Sequence, residues 1–75
     1  MPTAFPELSE RERDVLALLA DGMSHGAIAR RLGLSSRAMA NHVSNILPRI
    51  HAADRADAVI AAREAGLGGL SATDQ

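Results

Sequence analysis

The 75 residues of this chain are enough for one small domain, and they include no cysteine and one aromatic residue, Phe5. This composition excludes a disulfide framework and a thiolate metal site, and it predicts a core of aliphatic side chains. No apolar run approaches the ~20 residues of a membrane span, and no signal peptide is visible. We therefore expect an all-α, cytoplasmic protein with no cofactor and no membrane partner.

Charge divides the chain into three parts. Residues 1–21 contain five acidic residues and two arginines, residues 22–53 contain four arginines and no acidic residue, and residues 54–75 contain four acidic residues and two arginines. The parts carry −3, +4 and −2, which add up to the net charge of −1. An acid-free cationic segment inside a near-neutral chain predicts a negatively charged partner for that segment.

The first predicted helix follows a lead-in or linker at residues 1–7, which has two prolines and no apolar periodicity. Ser9 and Glu12 have the spacing of a capping box, so we expect a helix from Glu10 to Ala20. Glutamate, arginine and aspartate residues at its start predict a solvated face, and Gly22 predicts a left-handed exit. The inner side is predicted to contain Val15, Leu16, Leu18 and Leu19.

The acid-free segment predicts two helices joined by a tight turn. Ser24 is a candidate cap for a second helix from His25 to Leu32, and Ser35 is a candidate cap for a third. Gly33-Leu34-Ser35 between them fits the short, glycine-containing turn of a helix-turn-helix. Such a unit places its second helix in the major groove of DNA.

The third predicted helix has two distinct faces. Its outer face is small and polar, and nothing bulky on it blocks close approach to a surface. Pro48 removes a backbone amide, so we expect it to kink or weaken the last turn. The apolar stripe predicted to face the core contains Met39, Val43, Ile46, Leu47 and Ile50. The outer face contains Arg37, Ala40, Asn41 and Ser44.

A fourth helix is predicted from Asp54 to about Ala65, followed by a glycine stop at Gly66. Ala56 and Ile60 lie away from its core-facing stripe, which leaves more apolar surface than a lone terminal helix should show to water. Residues 68–75 are predicted to form a flexible tail. The core-facing stripe contains Ala58, Val59 and Ala62.

Residues 8–67 together resemble the LuxR-type helix-turn-helix domain of NarL/FixJ-type response regulators and GerE-like free-standing regulators. The motifs that carry the resemblance are S-E-R-E-R-D-V-L, A-D-G-M-S, I-A-R-R-L and N-H-V-S-N-I. The resemblance implies a four-helix fold, double-stranded DNA as partner and a third helix that enters the major groove. It also implies a homodimer through the fourth helix, with Ala56, Ile60 and Arg63 as interface candidates. The resemblance is compatible with two kinds of protein. One is a longer protein in which a receiver or sensor domain precedes this chain, and the other is a free-standing regulator.

Site residues follow from the resemblance position by position. Arginine pairs with guanine and asparagine with adenine in the major groove, and Arg37 and Asn41 are four residues apart on one face. The family usually has Thr-Val-Lys at the positions of Ala38, Met39 and Ala40. The lysine of that tripeptide commonly contacts DNA, and Ala40 takes its place here. The base-facing candidates are Arg37, Ala40, Asn41 and Ser44. The phosphate candidates are Ser24, Arg30, Arg31, Ser35, Ser36 and Arg49.

The same residues are compatible with other interpretations. Ser24 and Ser35 cap helices whether or not DNA binds, and Arg31 is equally suited to pairing with an acidic residue of the first helix. Ala40, Pro48 and the negative net charge favour a dimerisation or protein-interaction module with weakened DNA binding. Region 4 of a sigma factor shares the opening motif but normally has a more basic third helix. The histidines have no metal-ligand spacing and the serines no catalytic partners, so we expect no metal site and no enzymatic activity.

Overall fold

This computed structural model describes residues 5–67 of the chain, which fold into four α-helices and contain no strand. The all-α, four-helix prediction is confirmed, and the bounds predicted for the first, second and fourth helices agree with the observed ones to within about one residue. The first four residues of the lead-in and the tail predicted at residues 68–75 lie outside the described part. The helices are α1 (Glu10–Ala20), α2 (His25–Leu32), α3 (Ser36–Arg49) and α4 (Arg55–Glu64).

Each helix begins after a polar residue whose side chain accepts a hydrogen bond from the backbone amide three residues later. These bonds satisfy amides that a helix start leaves without a partner, and each contributes ~1 kcal/mol. At α1 the bond is reciprocal, because the Ser9 amide donates to Glu12 Oε1 at 2.9 Å. The capping residues are Ser9, Ser24, Ser35 and Asp54.

All four helices also end in one way, with a left-handed residue followed by an apolar residue. The amide of that apolar residue donates to the carbonyl five positions earlier, as in a Schellman motif. Gly22, Gly33 and Gly66 take the left-handed position after α1, α2 and α4. After α3 the position is occupied by His51, with φ of 59°. The sequence signalled the three glycine stops but not the histidine.

Pro48 lies in the last turn of α3, and the helix continues past it to Arg49. The amide of Ile50 donates to the carbonyl of Ile46 at 3.2 Å, so helical hydrogen bonding resumes beyond the proline. The amide missing from Pro48 leaves the carbonyl of Ser44 without its helical donor. Because Ser44 is exposed, water can satisfy that carbonyl.

The core forms around α1, in which every residue from Val15 to Ala20 is buried. α1 contacts the other three helices, and α4 approaches it through Ala58 and Ala62, whose side chains are fully buried. Small side chains at these positions allow the two helices to pack closely. The inner stripes predicted for α1, α3 and α4 face this core. The other large buried side chains are Ile28 of α2 and Met39 and Ile46 of α3.

The lead-in is attached to α1 by its last residues. Arg13 Nη1 donates to the carbonyl oxygens of Phe5 at 3.3 Å and Leu8 at 3.0 Å. Leu8 is buried, and the half-buried Phe5 packs against the core. The buried apolar side chains of residues 5–67 are all aliphatic, as predicted. The assignment of Arg13 to a solvated face was wrong, because its guanidinium is used to hold this segment.

Candidate nucleic-acid interface

The turn between α2 and α3 fixes the geometry of the helix-turn-helix. Gly33 reverses the chain with φ of 70°, and the Leu34 amide donates to the Ala29 carbonyl at 2.7 Å. Leu34 itself is half-buried against the core. Ser35 then caps α3, since its hydroxyl accepts from the Ala38 amide at 3.0 Å. Backbone bonds and an apolar anchor therefore hold α3 at a defined angle to α2.

α3 turns its aliphatic side inward and its small polar side outward, as the sequence predicted. Met39 and Ile46 are buried at 2% and 1% exposure. Val43, Leu47 and Ile50 pack partly buried against the same core. The exposed outer face contains all four base-facing candidates, Arg37, Ala40, Asn41 and Ser44. This surface is not covered by any other part of residues 5–67.

The phosphate candidates lie at the ends of α2 and α3. Ser24 and Ser35 act as helix caps, and both residues are exposed at the amino ends of α2 and α3. Arg30 and Arg31 are exposed in the last turn of α2. Neither forms an ion pair within residues 5–67, so the alternative partner for Arg31, an acidic residue of α1, is not observed. Ser36, at the start of α3, is exposed as well.

Arg49 has a partner inside the protein. Its Nη1 lies 2.7 Å from Oε1 of Glu12, a residue with only 6% exposure, while the Arg49 side chain is 47% exposed. The hydrogen bond from the Ser9 amide is the main cause that lowers the pKa of Glu12 below its ordinary value of 4.5, and the Arg49 charge adds to it against the effect of burial. Arg49 thus ties the end of α3 to the start of α1. The sequence missed this pair because 37 residues separate its members.

The three interface candidates on α4 have different surroundings. Ile60 is 56% exposed and borders an open groove between α4 and the end of α1, and Ala56 lines the same groove. Arg63 instead donates from Nε to the carbonyl of Ala20 at 2.8 Å. It therefore satisfies a carbonyl at the carboxyl end of α1. The local sequence carried no signal for this contact.

The amino-acid sequence matches a known family over the part of the chain that forms these helices. Residues 6–62 match the family model described as bacterial regulatory proteins, luxR family. The chain belongs to this family. A luxR-family helix-turn-helix is the DNA-binding domain of a transcription regulator, and the exposed outer face of α3 agrees with that role. None of the helices in residues 5–67 has the length and apolar character needed to cross a membrane.

Relatives of this luxR-family domain are transcriptional regulators of considerably greater length. The uncharacterized transcriptional regulatory protein YhcZ of Bacillus subtilis is 40% identical over 65 residues, which cover 87% of this chain and 30% of YhcZ. DegU of Brevibacillus brevis is 43% identical over 53 residues, covering 71% of the chain and 22% of DegU. The response regulator VraR of Staphylococcus aureus is 40% identical over 56 residues, which cover 75% of this chain and 27% of VraR. The chain spans less than a third of each of these proteins.

Proposed function

We propose that this luxR-family domain binds specific DNA sequences as a homodimer and reads base pairs with the outer face of α3. One observation carries the proposal. Arg37, Asn41 and Ser44 are exposed on a helix whose opposite side is buried in the core. The core therefore holds the outer face of α3 in a fixed orientation, which supports direct readout of bases by its side chains.

Base recognition is assigned to Arg37 and Asn41. The guanidinium of Arg37 matches O6 and N7 of guanine, and the amide of Asn41 matches N6 and N7 of adenine. Each such bidentate contact gives roughly 1–3 kcal/mol of discrimination against other bases. Arg37 is free to form it, because its side chain has no hydrogen bond or ion pair within residues 5–67.

Phosphate binding is assigned to residues at the ends of α2 and α3. The amino ends of α2 and α3 attract anions, and Ser24, Ser35 and Ser36 lie there. Arg30 and Arg31 add two exposed charges in a segment without acidic residues. Arg49 contributes to phosphate binding only where its contact with Glu12 is shared or replaced, so we rank it below the other two arginines.

Homodimerisation is assigned to α4. Ile60 is the exposed large hydrophobic residue of the described chain, and Ala56 lies one helical turn before it. Two copies joined there would place their α3 helices in successive major grooves, about 34 Å apart. The greater length of the relatives supports a receiver or sensor domain elsewhere in the full protein. Because the DNA of a bacterial cell lies in the cytoplasm, the proposed DNA binding supports the cytoplasm as the site of action.

The proposal is tested by selecting preferred sequences from random duplexes and measuring affinity by gel shift at several salt concentrations. We expect Asn41→Ala to lose the preference for one base at one position of the site. Arg31→Ala should weaken binding to all sequences alike and lower the slope of log affinity against log salt concentration by about 1. Arg11→Ala, an exposed substitution on α1, is the control and should change neither quantity. Absence of any preferred sequence together with absence of a salt slope would overturn the proposal.

A second candidate function is dimerisation or protein interaction with weakened DNA binding. Two observations favour it, the alanine at position 40 in the outer face of α3 and the exposed Ile60. The same gel shifts distinguish the two. The second function predicts that the parent chain forms a dimer without shifting any duplex and that Ala40→Lys restores binding.

A further inference from the structure

A small hollow opens between the start of α2 and the start of α3, beside the outer face of α3. Its volume is about 230 Å³. The side chains around it are mostly small or apolar, and a Cβ built on Gly26 would meet no atom within 4 Å. The hollow is therefore open space that residues 5–67 leave unfilled next to the base-facing candidates. It is lined by His25, Gly26, Ala29, Ser36, Met39 and Ala40.

The size of the hollow limits what can occupy it. Small-molecule sites in proteins usually measure roughly 300–1,000 Å³ and bury most of their ligand. A hollow below that range is small for a separate ligand, but it has room for an apolar group that projects from a larger partner. The partner of this face is DNA under the proposed function, and the apolar group exposed in the major groove is the C5-methyl group of a pyrimidine.

We propose that Ala40 and this hollow receive a pyrimidine C5-methyl group from the major groove, an inference that rests on the proposed DNA binding. Ala40 is exposed, adjacent to Asn41 and three residues from Arg37, so it lies among the polar base contacts. Alanine is one of the side chains that contacts the thymine methyl group in protein–DNA complexes. Ala40 in this setting is a specificity-determining residue.

The test uses the 75-residue chain and the duplex sequence that selection identifies as preferred. Each thymine is replaced in turn by deoxyuridine, which removes only the methyl group, and each cytosine by 5-methylcytosine, which adds one. We expect one substitution per half-site to change affinity roughly fourfold, the factor expected for burial of one methyl group. A loss with deoxyuridine identifies thymine as the source of the methyl group, and a gain with 5-methylcytosine identifies methylated DNA.

Ala40→Ser replaces one hydrogen of the side-chain methyl group by a hydroxyl. This change puts a polar group against the methyl group of the DNA and should abolish the fourfold effect. Ala65→Ser, an exposed substitution at the end of α4, should retain it. Sequence-specific binding that no methyl substitution affects would overturn the inference and leave the proposed function intact. A methyl effect that persists in Ala40→Ser would assign it to another residue and overturn the inference as well. Absence of any preferred duplex would remove both.

Discussion

Glu12 is the residue whose role depends most on the folded structure. Its carboxylate caps α1 by accepting from the Ser9 amide, and it also pairs with Arg49 at the end of α3. The capping box was predictable, because Ser9 and Glu12 are neighbours on one helical turn. The ion pair was not, because it depends on how α1 and α3 cross. A residue assigned to a local cap thereby also connects two elements.

We expect Glu12→Gln to lower the free energy of unfolding at pH 7 by about 1 kcal/mol, since a neutral amide keeps the acceptor for Ser9 but loses the charge-assisted bond to the half-exposed Arg49. The folded state lowers the pKa of Glu12, so this stabilisation is complete above the ordinary value of 4.5 and is lost as the pH falls through the lowered pKa. Urea denaturation at pH 7 and near pH 3 measures both effects.

The control for this prediction is Glu10→Gln, which removes an exposed carboxylate from the same helical turn. It should change stability by less than about 0.5 kcal/mol at pH 7. If wild type and Glu12→Gln differed by the same amount at both pH values, the charge of Glu12 would not be the source of the stabilisation.

At the scale of single elements, helix bounds were predictable because their signals are local. Serine, aspartate and glycine act on amides and carbonyls within five residues, so the sequence around each end is sufficient. The end of α3 is different. His51 takes the left-handed position that Gly22, Gly33 and Gly66 occupy elsewhere, and the histidine side chain gives no comparable signal. The structure identifies this stop through the positive φ of His51 and the hydrogen bond from the Ala52 amide to the Leu47 carbonyl.

Gly26 and Gly33 of the α2 region offer a matched test of backbone conformation. A Cβ added at either would meet no atom within 4 Å, but Gly26 is inside the helix while Gly33 has φ of 70°. We expect Gly26→Ala to raise the free energy of unfolding by about 0.5–1 kcal/mol and Gly33→Ala to lower it by about 1 kcal/mol. Chemical denaturation of both variants checks the prediction, and shifts of the same sign would contradict it.

At the scale of the whole molecule, the sequence predicted which faces point inward because apolar residues repeat at the helical period in all four helices. The same periodicity predicted that Arg37 and Asn41 share an exposed face. It did not predict the contacts that lock the helices together, Arg49 with Glu12 and Arg63 with Ala20. The members of these pairs are separated by 37 and 43 positions in the sequence. The bonds occupy Arg49, which was assigned to DNA, and Arg63, which was assigned to a dimer interface.

The proposed dimer depends on the apolar surface that remains on α4 after folding. Arg63 is held by α1, so Ile60 is the residue on which the contact should centre. We expect Ile60→Glu to convert the dimer to monomer, because the interface would bury an unpaired carboxylate. Analytical ultracentrifugation at several concentrations measures the change.

Ala65→Glu serves as the matched control, since it adds the same charge at an exposed position on a different side of α4 and should leave the dimer intact. Because Ile60 is exposed within the monomer, neither substitution should alter the helical circular dichroism spectrum. DNA affinity should fall with Ile60→Glu alone, since two half-sites can no longer be bound together. A dimer that survives Ile60→Glu would place the interface on another surface, and the apolar side of α4 would then need a different partner.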